Sequence, residues 1–224
     1  LERKIIKTGD GSTTIQLSEW DEQYHSKHGA IQEAKHVFIK MGLDYWLDNF
    51  SENKLAILEI GFGTGLNAFI TFLEAEKHQL SINYTGVEAY PVAKNEIEAL
   101  NYPKLLSAEN NAPIFQKMHE TPWHSLEKIS KNFNLIKQQK RFEEIDDIAK
   151  YDLVYFDAFG ARVQPELWTE EIFAAMYRAM RKEAVLVTYA AKGSVRRALQ
   201  KTGFTVERLE GPPGKREMLR ALKN

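Results

Sequence analysis

The 224-residue sequence contains no cysteine. That removes disulfides, thiolate nucleophiles, Cys-ligated zinc and iron–sulfur clusters together. No apolar run approaches the roughly eighteen residues of a membrane-spanning helix, so no membrane partner is expected. The opening LERKIIKTGDG lacks the apolar stretch of a secretory signal, and the chain is expected to be cytoplasmic. Low-complexity tracts, internal repeats and Ser/Gly-rich linkers are missing as well. There is also no excess of one charge: 30 Lys and Arg stand against 31 Asp and Glu, which excludes a uniformly basic nucleic-acid coat. What is present suits an ordinary globular chain, with 43% hydrophobic and 11% aromatic residues. The charge is unevenly placed. Residues 192–224 hold nine basic and three acidic side chains, a net +6 that offsets −7 over residues 1–191.

The hydrophobic pattern predicts a hairpin over the first twenty residues, turning at Gly9-Asp10-Gly11, then an irregular stretch over 20–29 and a helix over 30–50. Strand–helix alternation begins at residue 55. Strands are expected at Leu55–Ile60, Ser81–Val87, Phe133–Gln138, Leu153–Phe156 and Ala184–Thr188, with helices at Leu66–Lys77, Pro91–Leu100, Thr169–Met180 and Ser194–Thr202. Residues 101–131 read as helical pieces around Trp123, and Phe204–Leu209 with Glu217–Leu222 as a closing hairpin. The expected fold is α/β and Rossmann-like, of the class I S-adenosylmethionine-dependent methyltransferase type. Its sheet is mostly parallel with a terminal antiparallel hairpin, and a β-hairpin/helix extension precedes it. Residues 1–50 form the extension packed on the core, and 51–224 the methyltransferase domain.

The sharpest local feature is Leu58-Glu59-Ile60-Gly61-Phe62-Gly63-Thr64-Gly65-Leu66-Asn67, at the end of one strand and the start of a helix. Glycines there permit a tight turn and close approach of a ligand to the backbone. The G-x-G-x-G spacing departs from the G-x-G-x-x-G of nicotinamide sites. Glu59 would offer an acceptor to a cationic amine, and Glu88, at the end of the next strand, an acceptor for both ribose hydroxyls. The combination points to S-adenosylmethionine, held by Glu59, Gly61, Gly63, Thr64, Gly65, Asn67 and Glu88, with Tyr24 and Ser26 folding over it. The plainer reading is a strand-to-helix turn with a solvated acid beyond it.

Further pieces carry a resemblance: Tyr24-His25-Ser26, Glu33, His36-Val37-Phe38, the glycine turn, Val87-Glu88-Ala89-Tyr90-Pro91, Phe156-Asp157-Ala158-Phe159, Pro165-Glu166-Leu167-Trp168 and Gly214-Lys215-Arg216-Glu217-Met218-Leu219. From about residue 20 onward the chain resembles the methyltransferase domain of MnmC-type tRNA-modifying proteins, in its stand-alone MnmD-like form. The resemblance implies S-adenosylmethionine as donor, tRNA as partner, and N-methylation of the aminomethyl group of 5-aminomethyl(-2-thio)uridine at the wobble position. It implies no flavin, because the oxidase half of the two-domain members is not in this sequence. One piece departs: where the family shows Gly-Asp near the adenine, Lys140-Arg141 stands here, so no adenine contact is carried over.

A methyl acceptor amine must arrive with a free lone pair, and Asp157 is placed to orient it and take its proton, unless it merely caps the following turn. Phe159 is a candidate uracil platform or a packed core ring. Lys215, Arg216, Arg196 and Arg197 are candidate phosphate contacts, the alternative being a solvated helix face. His25, His28 and His36 lack ligand spacing, and no metal is expected. Two other functions fit part of the pattern: a polyamine synthase-like aminopropyl transferase and a non-catalytic tRNA-binding relative. Neither oligomeric state nor tRNA identity is legible.

Overall fold

A computed structural model describes residues 2–224. An eight-stranded sheet runs through it. In chain order its strands are β4 (Lys54–Ile60), β5 (Ser81–Glu88), β6 (Leu126–Lys128), β7 (Phe133–Gln139), β8 (Tyr151–Phe156), β9 (Met180–Thr188), β10 (Thr205–Glu210) and β11 (Glu217–Leu222). The spatial order is β10-β11-β9-β8-β4-β5-β7-β6. Five central strands are parallel, while β6 at one edge and the β10–β11 hairpin at the other run antiparallel. A second, three-stranded antiparallel sheet holds β1 (Arg3–Lys7), β2 (Thr13–Leu17) and β3 (Glu22–Gln23).

Side-chain alternation divides the core between the two faces of the large sheet. Leu55, Ile57, Leu153 and Tyr155 pack on one face with α3 (Leu66–His78), α6 (Ala112–Glu120) and a helical run at 30–49. That run is α1 (Ala30–Ala34), a π-helical segment (Lys35–Asp44) and α2 (Tyr45–Asn49). Its Val37, Phe38, Leu43 and Trp46 share the core of the large sheet. Leu58, Ile60, Val154 and Phe156 face the other way, against α7 (Glu170–Ala179) and α8 (Gly193–Lys201). Thr169 caps α7, its Oγ1 accepting from the Ile172 N–H.

Two expectations need correction. The helix expected over Pro91–Leu100 is confined to α4 (Lys94–Glu98). Its start is delayed because the Arg3 guanidinium donates to the Tyr90 and Pro91 carbonyls, and Glu96 accepts the Ala93 N–H at 2.7 Å, closing the first turn there. Residues 101–131 hold α5 (Tyr102–Leu105) and α6, but also the edge strand β6, whose polar sequence conceals it. Pairing with β7, rather than intrinsic preference, makes it a strand.

The small sheet is fastened to the large one at several points. Asn101 accepts the Thr13 N–H and donates to the Gly11 carbonyl. Arg162 reaches the carbonyls of Trp20 and Asp21 and the carboxylate of Glu22. Strands β4 and β8 are neighbours whose following connections run to opposite sides of the sheet, so their carboxyl ends open a crevice. Beneath it Phe156 is fully buried, with the Trp168 and Phe173 rings at 5.0 and 5.2 Å. Phe156→Ala is expected to cost about 3–5 kcal/mol, read as a lowered urea midpoint at unchanged m-value.

Candidate functional site

The crevice is a cavity of about 970 Å³ roofed by residues 17–28 of the small sheet and its connection to α1. Its floor is the turn after β4. Gly61 and Gly63 have φ of 87° and 49°, and a Cβ on Gly61 would lie 2.6 Å from the Asp157 carbonyl oxygen. Chain and neighbour are therefore as close as they can be without a side chain between them. Glu88 folds back over this turn: its Oε2 accepts the Gly63 N–H at 3.0 Å and its Oε1 the Tyr90 N–H at 2.9 Å. The two bonds fix the carboxylate and leave each oxygen a further lone pair, the arrangement a vicinal diol requires.

Asp157 directly follows β8 and is half-buried beside Glu59 and Asn67. One amide nitrogen, Asn67 Nδ2, donates to both acids, at 3.0 Å to Glu59 Oε1 and 2.8 Å to Asp157 Oδ2. Burial, then the nearby Asp157 charge, push the Glu59 carboxyl well above the usual range. Burial and Glu33 raise Asp157 to about 7, against the lowering pull of Asn67 and Lys215. Glu59 Oε2 is buried with no hydrogen-bond partner, although the residue lines the cavity. An unpartnered oxygen of that kind, a carboxylate with lone pairs to spare and a side-chain-free turn fit a ligand that brings a cation, a vicinal diol and a slender chain, as S-adenosylmethionine does.

Of the residues singled out from sequence, Tyr24, Ser26, Glu59, Gly61, Gly63, Thr64, Asn67, Glu88, Asp157, Phe159 and Lys215 all line the cavity. Tyr24 and Phe159 meet edge to face at 4.9 Å, with Trp20 against Phe159 at 6.2 Å, so the mouth is aromatic on both sides. Gly65 does not line the cavity. It sits against His119, whose Nε2 a Cβ would approach to 2.9 Å, and it serves the turn rather than the ligand.

The basic block needs a sharper correction. Lys215 does not stand out toward phosphate: its ammonium is paired with buried Glu33 and lies 3.8 Å from the Tyr189 ring centroid. A buried carboxylate requires a counter-ion, and Lys215 is the one within reach. Lys201, Arg208 and Arg220 are also paired, with Glu170, Glu217 and Glu207. Among the described residues no acid pairs with Lys192, Arg196, Arg197 or Arg216; Arg197 and Arg216 are exposed, while Arg196 is half-buried. None of these four lines the cavity.

Sequence reasoning did not assign Glu33, Tyr189, Arg141 or Phe142 to the site, yet all line it. Glu33 carried a signal in its motif and in being an acid within a helix of core residues. Arg141 and Phe142 belong to the departing segment after β7, which does reach the cavity wall.

Behind the glycine turn is a second layer. Lys137, on β7 and 2% exposed, donates to the His119 carbonyl and lies 4.9 Å from the Trp123 ring centroid. His119 Nε2 in turn donates to the Thr64 carbonyl at 3.1 Å, and its ring contacts Phe62 edge to face. Burial lowers the Lys137 amine to about 8.

Known proteins with similar sequences and structures align with this architecture. The family described as S-adenosyl-L-methionine-dependent methyltransferase matches residues 115–224. A "tRNA 5-methylaminomethyl-2-thiouridine biosynthesis bifunctional protein MnmC" from Marinomonas sp. is 29% identical over 211 residues, covering 90% of this chain and 31% of its own length. The protein of the same name from Leptospira interrogans is 28% identical, covering 95% of this chain and 34% of its own. The chain thus spans about a third of the length of the curated relatives it matches. Among solved structures, MnmC2 from Aquifex aeolicus superposes with a TM-score of 0.80 at 24% identity, covering 98% of this chain and 70% of that one. A spermidine synthase in complex with a transition-state analogue gives 0.60 at 16%, covering 99% and 70%. At those identities both likenesses concern the fold.

The second layer yields a stability prediction. The unfolded chain holds the Lys137 proton up to about pH 10.4, whereas the folded protein releases it near 8, so wild-type stability rises with pH between the two. Lys137→Met removes the titrating group, so its Tm relative to wild type is expected to be higher at pH 7 than at pH 9.5, the lost hydrogen bond to the His119 carbonyl costing the same at both. Equal differences in thermal melts at both pH values would contradict it.

Proposed function

We propose that this chain is an S-adenosylmethionine-dependent methyltransferase of the MnmC type and that it N-methylates the aminomethyl group of 5-aminomethyl(-2-thio)uridine at the wobble position of tRNA. Residues 51–224 act as the methyltransferase domain and residues 1–50 as the extension that roofs it. The observation that carries the reading is Asp157: a half-buried carboxylate at the carboxyl end of a central strand, inside the same cavity as Glu88, raised to about 7.

Bound S-adenosylmethionine supplies a methyl group on a cationic sulfur, which keeps the S–C electron pair as the N–C bond forms. Glu88 would hold its ribose and Gly61 and Gly63 its middle, with Glu59 and Asn67 behind. Tyr24, Ser26 and Thr64 close the cofactor side. An alkylamine in water near neutral pH is mostly ammonium and has no lone pair to attack with. Asp157, one oxygen held by Asn67, uses the other to orient the amine and take one of its protons. An acceptor near 7 is suited to that task, because it is substantially ionised at neutral pH and still basic enough to bind the proton. Phe159, between Tyr24 and Trp20, offers its face or edge to the uracil ring. Such a displacement involves no oxidation and asks nothing of a flavin. Arg196, Arg197 and Arg216, unpaired by any acid among the described residues, supply phosphate contacts outside the cavity.

The direct test is transfer of labelled methyl from S-adenosylmethionine to tRNA carrying the aminomethyl nucleoside, followed by nucleoside analysis; absence of the methylaminomethyl product would refute the reading. Asp157→Asn is expected to abolish transfer while retaining cofactor binding, and wild-type kcat/KM to fall below about pH 7 as Asp157 takes up a proton. Glu88→Ala should weaken S-adenosylmethionine binding by about 10- to 100-fold by calorimetry, the loss of two charge-assisted hydrogen bonds. Charge reversal at Arg197 and Arg216 should lower tRNA affinity and flatten its salt dependence, and an unchanged slope would return both to the solvated surface.

A further inference from the structure

Glu33 on α1 and Lys215 in the turn before β11 are 182 residues apart in sequence and meet in the cavity wall. Both oxygens of Glu33 are engaged: Oε1 accepts the Ser26 N–H at 3.2 Å, and Oε2 the Lys215 ammonium. The ammonium also lies over the face of Tyr189, whose hydroxyl donates at 2.8 Å to the carbonyl of Ala158, the residue after Asp157. The turn bearing Lys215 is packed flush against the roof, since a Cβ on Gly214 would fall 2.3 Å from the His28 ring. One ion pair therefore fixes the roof, the C-terminal turn and the segment holding Asp157 relative to one another.

The charges around Asp157 can be taken element by element. From β4, Glu59 faces it through Asn67, with its carboxyl pushed well above the usual range by burial and by Asp157 itself. From β5 and from the end of β9 come the phenols Tyr84 and Tyr189, each held uncharged by burial and by the acids beside it. Asn67, from α3, is neutral. Glu22 on β3, paired with Arg162, and Glu88 at the end of β5 line the same cavity, but the charges acting on Asp157 are Glu33 and Lys215, of opposite sign and held as a pair.

We propose that Glu33 and Lys215 are positioning residues for Asp157, a fixed pair whose opposed charges balance how readily that carboxylate takes a proton. The inference rests on the reading of Asp157 as the acceptor of the substrate proton. Glu33 without its partner would hold Asp157 protonated and unable to receive the proton. Lys215 without its partner would leave Asp157 too weak a base to compete for the proton of an alkylammonium. Joined, they leave the acceptor near the middle of the useful range, and they do so without touching the reacting atoms.

The test is a carboxyl titration of the full-length protein labelled with ¹³C at the aspartate side chains, the Asp157 signal being identified by its loss in Asp157→Asn. Lys215→Met should raise the Asp157 midpoint by about one unit and Glu33→Gln should lower it by about one unit, in opposite directions. Lys215→Arg should leave it in place, and the double variant Glu33→Gln/Lys215→Met should bring it back toward wild type. If neither single variant moves the midpoint, or both move it the same way, the pair does not tune Asp157 and the inference falls. The double variant keeps the test decisive should an unpaired buried charge unfold either single one, since a midpoint displaced by more than about one unit there would also overturn the balance. The titration needs no substrate, so failure of methyl transfer to tRNA counts against the proposed function alone.

Discussion

The side-chain amide of Asn67 lies between two carboxyl groups, and the chemistry of the site depends on that one group. Glu59 on β4 and Asp157 just after β8 project from adjacent parallel strands into the same cavity. Two carboxylates so placed repel each other and oppose burial. A single nitrogen donating to both, from the first turn of α3, relieves part of that cost and sets their spacing. Burial holds the Glu59 carboxyl well above the usual range and Asp157 at about 7, each against the lowering pull of Asn67. The glycine turn exists to bring α3 close enough for this, and the Lys137–His119–Thr64 relay supports the turn from behind.

Much of this organisation is legible in the sequence, and the reason is local. The glycine turn, the strand ends at Glu88 and Asp157 and the closing hairpin are written in contiguous residues whose periodicity changes sharply at each boundary. The parallel sheet follows from strand–helix alternation alone. What escaped is long-range. Lys215 belongs to a basic block and reads as surface until Glu33, far away in sequence, is seen to need a counter-ion. Strand β6 is polar and becomes a strand only because β7 offers it an edge. Arg3 shortens α4 from a position almost ninety residues earlier. In each case the deciding partner is remote, and no window of sequence contains both halves of the interaction.

The uneven charge distribution also changes meaning. Of the nine cations after residue 191, four are paired with acids, and Lys223 donates to the Tyr177 and Met180 carbonyls. The excess therefore contracts to Lys192, Arg196, Arg197 and Arg216. A block that looks like a continuous basic footprint is mostly internal neutralisation of glutamates, with a smaller set of free cations beyond the cavity.

The Glu33–Lys215 contact has a consequence for biosynthesis. A chain emerging from the ribosome exposes Glu33 early and Lys215 some 180 residues later. Through that interval the helix bearing Glu33 has a carboxylate on its core-facing side and no cation to accompany it, so docking onto the sheet is disfavoured. The turn between β10 and β11, made long after α1, is therefore a piece that closes the cavity wall. A nascent chain can bring the glycine turn and its acids together before that turn exists to complete the chamber, and ligand retention becomes a reporter of its docking.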